Sequence, residues 1–328
     1  MRFMRSRAIV FALTASVAIG LAGCAAESES GDDGGDQVEV LKLVLLQSYD
    51  TGATIQHGID EGYFAEVDLE LDITETDAPP TVVSAVASGQ YDIGQFNPAV
   101  AVSVLAGGVD IRALAAGGRS QESGVQGVVS LADSGIEDWA DLAGQTVGVQ
   151  APRAAATLAM LEQVRLAGGD PSTVELVAVP GPQMLSTLES GGVDAAVMLG
   201  SFLAEATTTN PDIVNLGDAF TETFGQGALV DMLYTSAQTA TDKADALERF
   251  RTALARAYDD MNGLDGDEWK AAIGASIGLD EEQWEYLSWV KYDAELSADE
   301  IVPYADAQAS QGWIEDDVDL ETFVSSAP

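Results

Sequence analysis

Cysteine and histidine are almost missing from this chain. Of its 328 residues one is cysteine, Cys24, and one is histidine, His57. A single cysteine closes no internal disulfide. Without a second histidine there is little to build a histidine-rich metal site or a Ser-His-Asp constellation from. Neither a P-loop nor a GxGxxG run follows a predicted strand. No metal and no cofactor is therefore expected, and carboxylate-only catalysis is the one enzymatic reading left open. Basic residues are scarce too, with 14 Lys and Arg against 54 Asp and Glu, a formal net charge of -40. That balance argues against nucleic acid or anionic lipid as a partner. It reads as the solvated surface of an acidic exported protein. Long apolar runs are also lacking. The stretch "AIVFALTASVAIGLA" holds only 15 residues, short for a membrane-spanning helix.

That stretch follows "MRFMRSR", with Arg2, Arg5 and Arg7, and ends in "LAGC", Leu21 to Cys24. A basic head, an apolar core and a small-residue end make a signal peptide over residues 1–23. "LAGC" resembles the bacterial lipobox, in which the cysteine becomes the lipidated first residue. Cys24 is thus the expected lipidation site, giving a protein held at the outer face of the cytoplasmic membrane by its lipid alone. Residues 24–37, "CAAESESGDDGGDQ", are small and acidic, and read as a flexible tether. The folded part starts near Val38.

The chain then contains a near-copy of itself. "PTVVSAVASGQYDIG" (Pro80–Gly94) aligns without gaps with "PQMLSTLESGGVDAA" (Pro182–Ala196) at an offset of 102 residues. Each copy reads as a proline at a helix start, an amphipathic helix, a glycine at its end and a buried strand. The asparates of the two copies, Asp92 and Asp194, are expected to make local turn bonds. The preceding units match as well. "LKLVLLQSYDTGATIQHGIDEGYF" with "VDLELDITE", and "QTVGVQAPRAAATLAMLEQVRLAGG" with "STVELVAVP", each read as strand, polar turn, helix, strand. Two β-α-β-α-β halves imply an α/β protein of two similar lobes with mainly parallel central sheets. Crossings between lobes are expected at Gly117–Gly127 and Gly225–Ala237. Lobe 1 would then hold residues 38–120 and 230–328, and lobe 2 residues 121–229, with a cleft between them. The return is mostly helical. "KADALERFRTALARAYDDMNG" carries Leu247, Phe250, Leu254 and Tyr258 at helical spacing.

"GIDEGYFAEVDLEL", "ASGQYDIGQFNPAVAV", "IEDWADLAGQTVGV", "LESGGVDAAVM" and "WIEDDVDLETFV" resemble, in that order, the nitrate/sulfonate/taurine and thiamine-precursor binding proteins of ABC importers. These share the type II periplasmic-binding-protein fold. The resemblance runs from about Val38 to Val324. It implies a monomeric receptor, not an enzyme, that captures a small solute between its lobes by hinge closure and delivers it to a permease and an ATPase. The implied solute is a small organic anion or zwitterion of sulfonate, taurine or carboxylate type. A pyrimidine, thiamine precursor or other aromatic heterocycle is the alternative, as is a sensor that does not transport. The chain departs from the family at Gln145, where Lys is usual, and at Arg153, where small residues are common.

Ligands of open α/β sheets sit beyond the carboxyl ends of strands. This selects Tyr49, Asp50 and Thr51 after the first strand; Gln95, Phe96 and Asn97 after "YDIG"; Arg119 and Ser120 at the first crossing; Ala151, Arg153 and Ala154 after "TVGVQ"; and Ser201 and Phe202 after "DAAVM". Arg153 stands at a helix start, where the macrodipole disfavours a cation. It could clamp an anionic group, or pair with one of many surface acids; the same choice holds for Arg119. Asp50 could meet an amine or ring N–H, or cap the helix that follows it. Tyr49 and Phe96 could sandwich an apolar body, or belong partly to the core. His57 reads as a surface or packing residue.

Overall fold

A computed structural model describes residues 38–46, 50–76, 79–121, 126–279, 281–287, 289–315 and 318–325. The signal peptide, Cys24, the tether and Tyr49 lie outside the described residues.

The first half runs β1 (Glu39–Leu46), α1 (Thr51–Asp60), β2 (Leu69–Thr76), α2 (Pro79–Ala87), β3 (Ile93–Phe96), α3 (Pro98–Ala106) and β4 (Ile111–Ala116). Two strands follow, β5 (Gly118–Ser120) and β6 (Gln126–Leu131). The second half runs β7 (Thr146–Val149), α4 (Ala155–Leu166), β8 (Glu175–Ala178), α5 (Gly181–Glu189), β9 (Ala195–Leu199), α6 (Gly200–Thr209), β10 (Ile213–Gly217) and α7 (Ala219–Phe224). The chain returns through β11 (Met232–Ser236), α8 (Ala237–Asp242), α9 (Ala244–Gly263), α10 (Gly266–Ser276), α11 (Glu281–Trp284), β12 (Val290–Tyr292), α12 (Val302–Ser310) and α13 (Leu320–Ser325).

The strands form two five-stranded sheets, in the orders β2-β1-β3-β11-β4 and β8-β7-β9-β6-β10. In each, the fourth strand runs antiparallel to both neighbours, and it is the strand that enters from the other half of the chain. The β1–β2, β1–β3, β7–β8 and β7–β9 pairs are parallel. The protein is therefore a mixed α/β structure of two similar lobes with mainly parallel sheets.

The repeated segment makes the same structure twice. Helix α2 ends at Gly89 (φ 73°) and α5 at Gly191 (φ 70°), a left-handed conformation glycine adopts without a Cβ penalty. The aspartates correct the expectation of local turn bonds. Asp92 donates its N–H to the Lys42 carbonyl at 2.8 Å, and its carboxylate accepts the Lys42 N–H at 2.9 Å. Asp194 does the same with Thr146, at 2.8 Å in both directions. Each aspartate thus ties the strand it precedes to the parallel strand beside it, β3 to β1 and β9 to β7, and fixes the register.

Strand β1 is covered on both faces, as a central parallel strand must be. Leu41, Leu43 and Leu45 pack with α9, and Val44 and Leu46 join the cluster holding Val82, Val86 and Val102. The apolar stripe of α9 is buried at Leu247, Phe250, Leu254 and Tyr258, as the spacing predicts. One cluster is continuous between the sheets: Val147, Leu158 and Ala195 of the second half share it with Phe96, Met232 and Tyr304 of the first half and the return. Helix α4 meets α12 there.

Candidate functional site

The carboxyl ends of β1, β3 and β4 and the start of antiparallel β11 lie at one end of the first sheet. A polar cluster is built there. Asp231, the residue before β11, is fully buried. Its Oδ1 accepts the Gly118 N–H at 2.9 Å and its Oδ2 accepts the Gln95 Nε2 at 2.5 Å. Gln95, also fully buried, accepts the Leu46 N–H through Oε1 at 3.2 Å. One carboxylate and one carboxamide so tie the ends of β1, β3 and β4 to β11. Gly117 is required at this point. A Cβ there would overlap the Asp231 carboxylate and stand 2.9 Å from Thr51 Oγ1.

Asp50 lies at the same end, between β1 and α1. Its carboxylate does not cap α1. It accepts instead the hydroxyl of Tyr292 in β12. The Tyr292 ring stacks on Tyr258 of α9 with centroids 4.9 Å apart, and the Tyr258 hydroxyl donates to the Ala116 carbonyl at 3.1 Å. Burial, then the neighbouring charge of Asp231, push the Asp50 carboxyl up to about 7, although the Tyr292 bond pulls the other way. Burial also raises Asp231. Tyr258 and Tyr292 are held well above the usual phenol range, again chiefly by burial. Thr51 is fully buried beside Asp231, and its hydroxyl helps to hold the Asp231 carboxyl down against the effect of burial.

Other sequence candidates have different surroundings. Phe96 is in the core, stacked on Tyr234 with centroids 3.7 Å apart. Asn97 caps α3, accepting the Val100 N–H at 3.0 Å. Arg119 is turned inward: it meets Glu300 at 2.8 Å and donates to the carbonyls of Asp293 (3.1 Å) and Glu295 (2.7 Å). Burial pushes Glu300 up, but the hydrogen bonds from Arg119 and Ser297 and the charge of Arg119 together outweigh it and leave the carboxyl below its usual range. Ser120 is buried in β5, which pairs with β12.

Arg153 is exposed, and its guanidinium lies over the Trp313 ring, 5.1 Å from the centroid. It lines a groove of ≈ 830 Å³ with Asp110, Arg112, Trp313 and Asp319; Asp50, Gln95 and Asp231 do not line that groove. Nearby, the Ala151 carbonyl accepts the Ala154 N–H (3.1 Å) and the Thr157 hydroxyl (2.8 Å), so the turn closes on itself. Ala154 begins α4 without a side-chain cap. Ser201 and Phe202 lie in the first turn of α6. Phe202 packs on the start of α5, where a Cβ at Gly181 would stand 2.5 Å from its ring. At the end of β9 a Cβ on Gly200 would be 3.3 Å from the Tyr286 carbonyl, so the return segment comes close to the second sheet there. His57 is at the surface, 3.2 Å from Asp260.

The structure thus joins Asp50, Thr51 and Gln95, and separates them from Arg153. Asp231, Tyr258 and Tyr292 were not among the sequence candidates. Asp231 carried one signal: it is the lone acid in the apolar stretch "ALVDMLY". Among the described residues no group of three or more His, Cys, Asp or Glu could hold a metal, and no helix is long and apolar enough to cross a membrane.

The family described as NMT1/THI5 like matches residues 53–263. The formylaminopyrimidine-binding protein of Halalkalibacterium halodurans is 30% identical over 179 residues, which is 54% of this chain and 52% of that protein. The chain so spans about half the length of that curated relative. Among solved structures, the periplasmic aliphatic sulphonate binding protein SsuA from Escherichia coli has a TM-score of 0.69 at 16% identity, covering 87% of this chain and 97% of that one. The periplasmic nitrate-binding protein NrtA from Synechocystis PCC 6803 has a TM-score of 0.65 at 10% identity, covering 88% and 86%. The desulfurization enzyme DSZB shares the fold as well, with a TM-score of 0.63 at 15% identity, covering 88% and 96%. At these identities the likeness is one of fold.

Proposed function

We propose that this chain, which belongs to the NMT1/THI5-like family, is the solute-binding receptor of an ABC importer and not an enzyme. It would be exported, lipidated at Cys24 and held outside the cytoplasmic membrane, where it hands its solute to a permease and an ATPase. Its lobes would divide at residues 120/121 and 229/230, with the solute taken between them. The observation that carries this reading is the doubled architecture. Two sheets of the same strand order are joined through their antiparallel strands, and a polar cluster stands at the carboxyl ends of the first. That is where open α/β sheets bind ligands.

The solute classes are a small organic anion or zwitterion and an aromatic heterocycle of pyrimidine type. Asp50 and Asp231 at the strand ends favour a member of either class that carries a basic nitrogen. Taurine does so as a zwitterion and an aminopyrimidine as a heterocycle. A thermal-shift panel of nitrate, alkanesulfonates, taurine, aromatic carboxylates, pyrimidines and amines tests the reading. A receptor is stabilised by about 2.7 kcal/mol when a solute stands at a hundred times its dissociation constant. The expected result is a rise in melting temperature with one class, and recovery of that compound unchanged after long incubation. Its conversion to a product would replace the receptor with an enzyme.

A further inference from the structure

Arg153 stands apart from the polar cluster, and among the described residues it is also the exception among the arginines. Arg112, Arg119, Arg165, Arg249, Arg251 and Arg256 each form an ion pair. Arg153 forms none, in a chain with 54 acids. Its guanidinium rests on the Trp313 ring instead, 5.1 Å from the centroid.

The two partners come from different halves of the fold, and each is held in place. Arg153 stands on the turn after β7, which the Ala151 carbonyl closes by accepting the Ala154 N–H and the Thr157 hydroxyl. Trp313 follows α12 and donates its N–H to the Gln308 carbonyl at 2.9 Å. Gln308 is fully buried and tied to α3: its Nε2 donates to the Ala99 carbonyl at 2.6 Å, and its Oε1 accepts the Ser103 hydroxyl at 2.7 Å. The stack thus joins the end of β7 to the helix layer of the first sheet.

A second contact stands beside it. β7 and β9 are parallel neighbours, so their carboxyl ends lie side by side. At the end of β9, Gly200 lies close to the Tyr286 carbonyl. The returning chain therefore touches the second sheet at two adjacent strand ends, the side from which open α/β sheets take ligands. The start of α12 sits elsewhere. The Tyr304 hydroxyl donates to the Leu229 carbonyl at 2.7 Å, and its ring stacks on Phe224 with centroids 4.1 Å apart. Leu229 ends the proposed second lobe, so Tyr304 stands at the pivot and Trp313 beyond the other end of the helix. Between them Glu162 of α4 accepts the Ser310 hydroxyl of α12 at 2.7 Å.

We propose that the Arg153–Trp313 stack is a latch between the lobes. Arg153 is a positioning residue: it favours the closed state, and so raises solute affinity, without touching the solute. The inference rests on the receptor reading, whose lobes close around the solute. The stack needs no solute, so it also holds part of the empty protein closed. A cation over a ring at an exposed site shifts such an equilibrium about two- to fivefold, and affinity follows the closed fraction.

Two measurements on the purified full chain test this: calorimetric titration with taurine and with formylaminopyrimidine, and small-angle X-ray scattering of the empty protein. Arg153→Ala is expected to weaken by the same factor every probe that binds, whether or not it carries an anionic group. It is also expected to raise the radius of gyration of the empty protein. Arg153→Lys keeps a cation over the ring and is expected to recover part of both changes. Arg153 is exposed, so both variants are expected to fold, which melting curves check. An unchanged radius of gyration overturns the latch and shows that α12 travels with α4. Loss of affinity for taurine alone overturns it as well and makes Arg153 a clamp for the sulfonate. Either result leaves the receptor standing. Binding of neither probe tells against the receptor reading alone, and the scattering still decides the latch.

Discussion

The hydroxyl of Tyr292 donates to the carboxylate of Asp50, joining two residues 242 positions apart. The bond fastens β12, on the returning chain, to the start of α1. The Asp50 carboxylate makes no cap bond to α1. Tyr292→Phe keeps the ring on Tyr258 and removes only the donor. A hydrogen bond to a charged group contributes about 1.5–3 kcal/mol. The variant is expected to lose stability in that range at pH 8, and less at pH 5, where Asp50 is protonated. Chemical denaturation at the two pH values checks it.

Asp50 itself makes stability depend on pH in the direction opposite to most carboxylates. Its native pKa is raised to about 7, above the ordinary value of 3.8. Between those values the native state holds a proton that the unfolded chain has lost. Stability is therefore full below the unfolded pKa, falls as pH rises through the window and levels off above about pH 7. Asp231 is shifted in the same direction. Asp50→Asn removes the charge and keeps the shape. The empty variant is expected to melt several degrees higher than the natural chain at pH 8 and to differ little from it at pH 4. Melting curves across that range measure the slope directly. A variant that is less stable at pH 8 would mean that the Asp50 carboxylate is stabilised in the empty protein.

The two aspartates of the repeat are alike in place and unlike in load. Asp92 accepts Lys42 N–H at 2.9 Å and also Lys243 Nζ at 2.9 Å, in a largely buried setting. Among the described residues Asp194 accepts Thr146 N–H alone, and it is exposed. Asp92→Ala strands a lysine as well as a backbone donor and is expected to cost about 2–4 kcal/mol. Asp194→Ala is expected to cost about 1 kcal/mol. Equal losses in urea unfolding would show that the Lys243 contact contributes nothing.

Much of the fold was legible because its signals are local. The glycine after α2 and the glycine after α5, the paired "SG..D" spacing and the stripe Leu247-Phe250-Leu254-Tyr258 each act within a few residues of themselves. The β-α-β-α-β order of each half followed from them. The site was less legible because its bonds are distant. Gln95 reaches Asp231 across 136 positions and Arg119 reaches Glu300 across 181. No periodicity announces such a pair. Phe96 looked like a turn residue because it ends a short strand, but the antiparallel entry of β11 covers it with Tyr234. Asp50 offered two readings from sequence, a cap or a ligand group, and the donor that settles its partner lies on a strand near the other end of the chain.

Arg119 shows how a candidate for anion binding becomes a brace. Its side chain is 16% exposed, and it holds Glu300 and the carbonyls of Asp293 and Glu295. Its planar fork serves three acceptors at once, which an ammonium does not reproduce. Arg119→Ala is expected to cost about 2–4 kcal/mol, discounted from a fully buried pair because Glu300 keeps some solvent. Arg119→Lys is expected to recover less than half of the loss. Solute affinity, measured below the melting temperature of each variant, is expected to be unchanged. A large loss of affinity at full stability would return Arg119 to the binding site.

Tyr234 offers the sharpest test of packing in the first sheet. Its ring stacks on Phe96 and covers the Cα of Gly94 on the neighbouring strand. A Cβ on Gly94 would stand 2.7 Å from the Tyr234 Cε1, closer than carbon atoms approach. Gly94→Ala therefore forces the ring or the strand to move and is expected to cost about 1–3 kcal/mol. The hydroxyl of Tyr234 is buried without a hydrogen-bond partner, and burial holds its pKa far above the usual value. Such a group has lost its water and gained nothing in return. Tyr234→Phe removes it and keeps the stack, so the variant is expected to be as stable as the natural chain or more so by about 1 kcal/mol. If Tyr234→Phe instead destabilises by that amount, the hydroxyl has a partner in solution, such as a buried water.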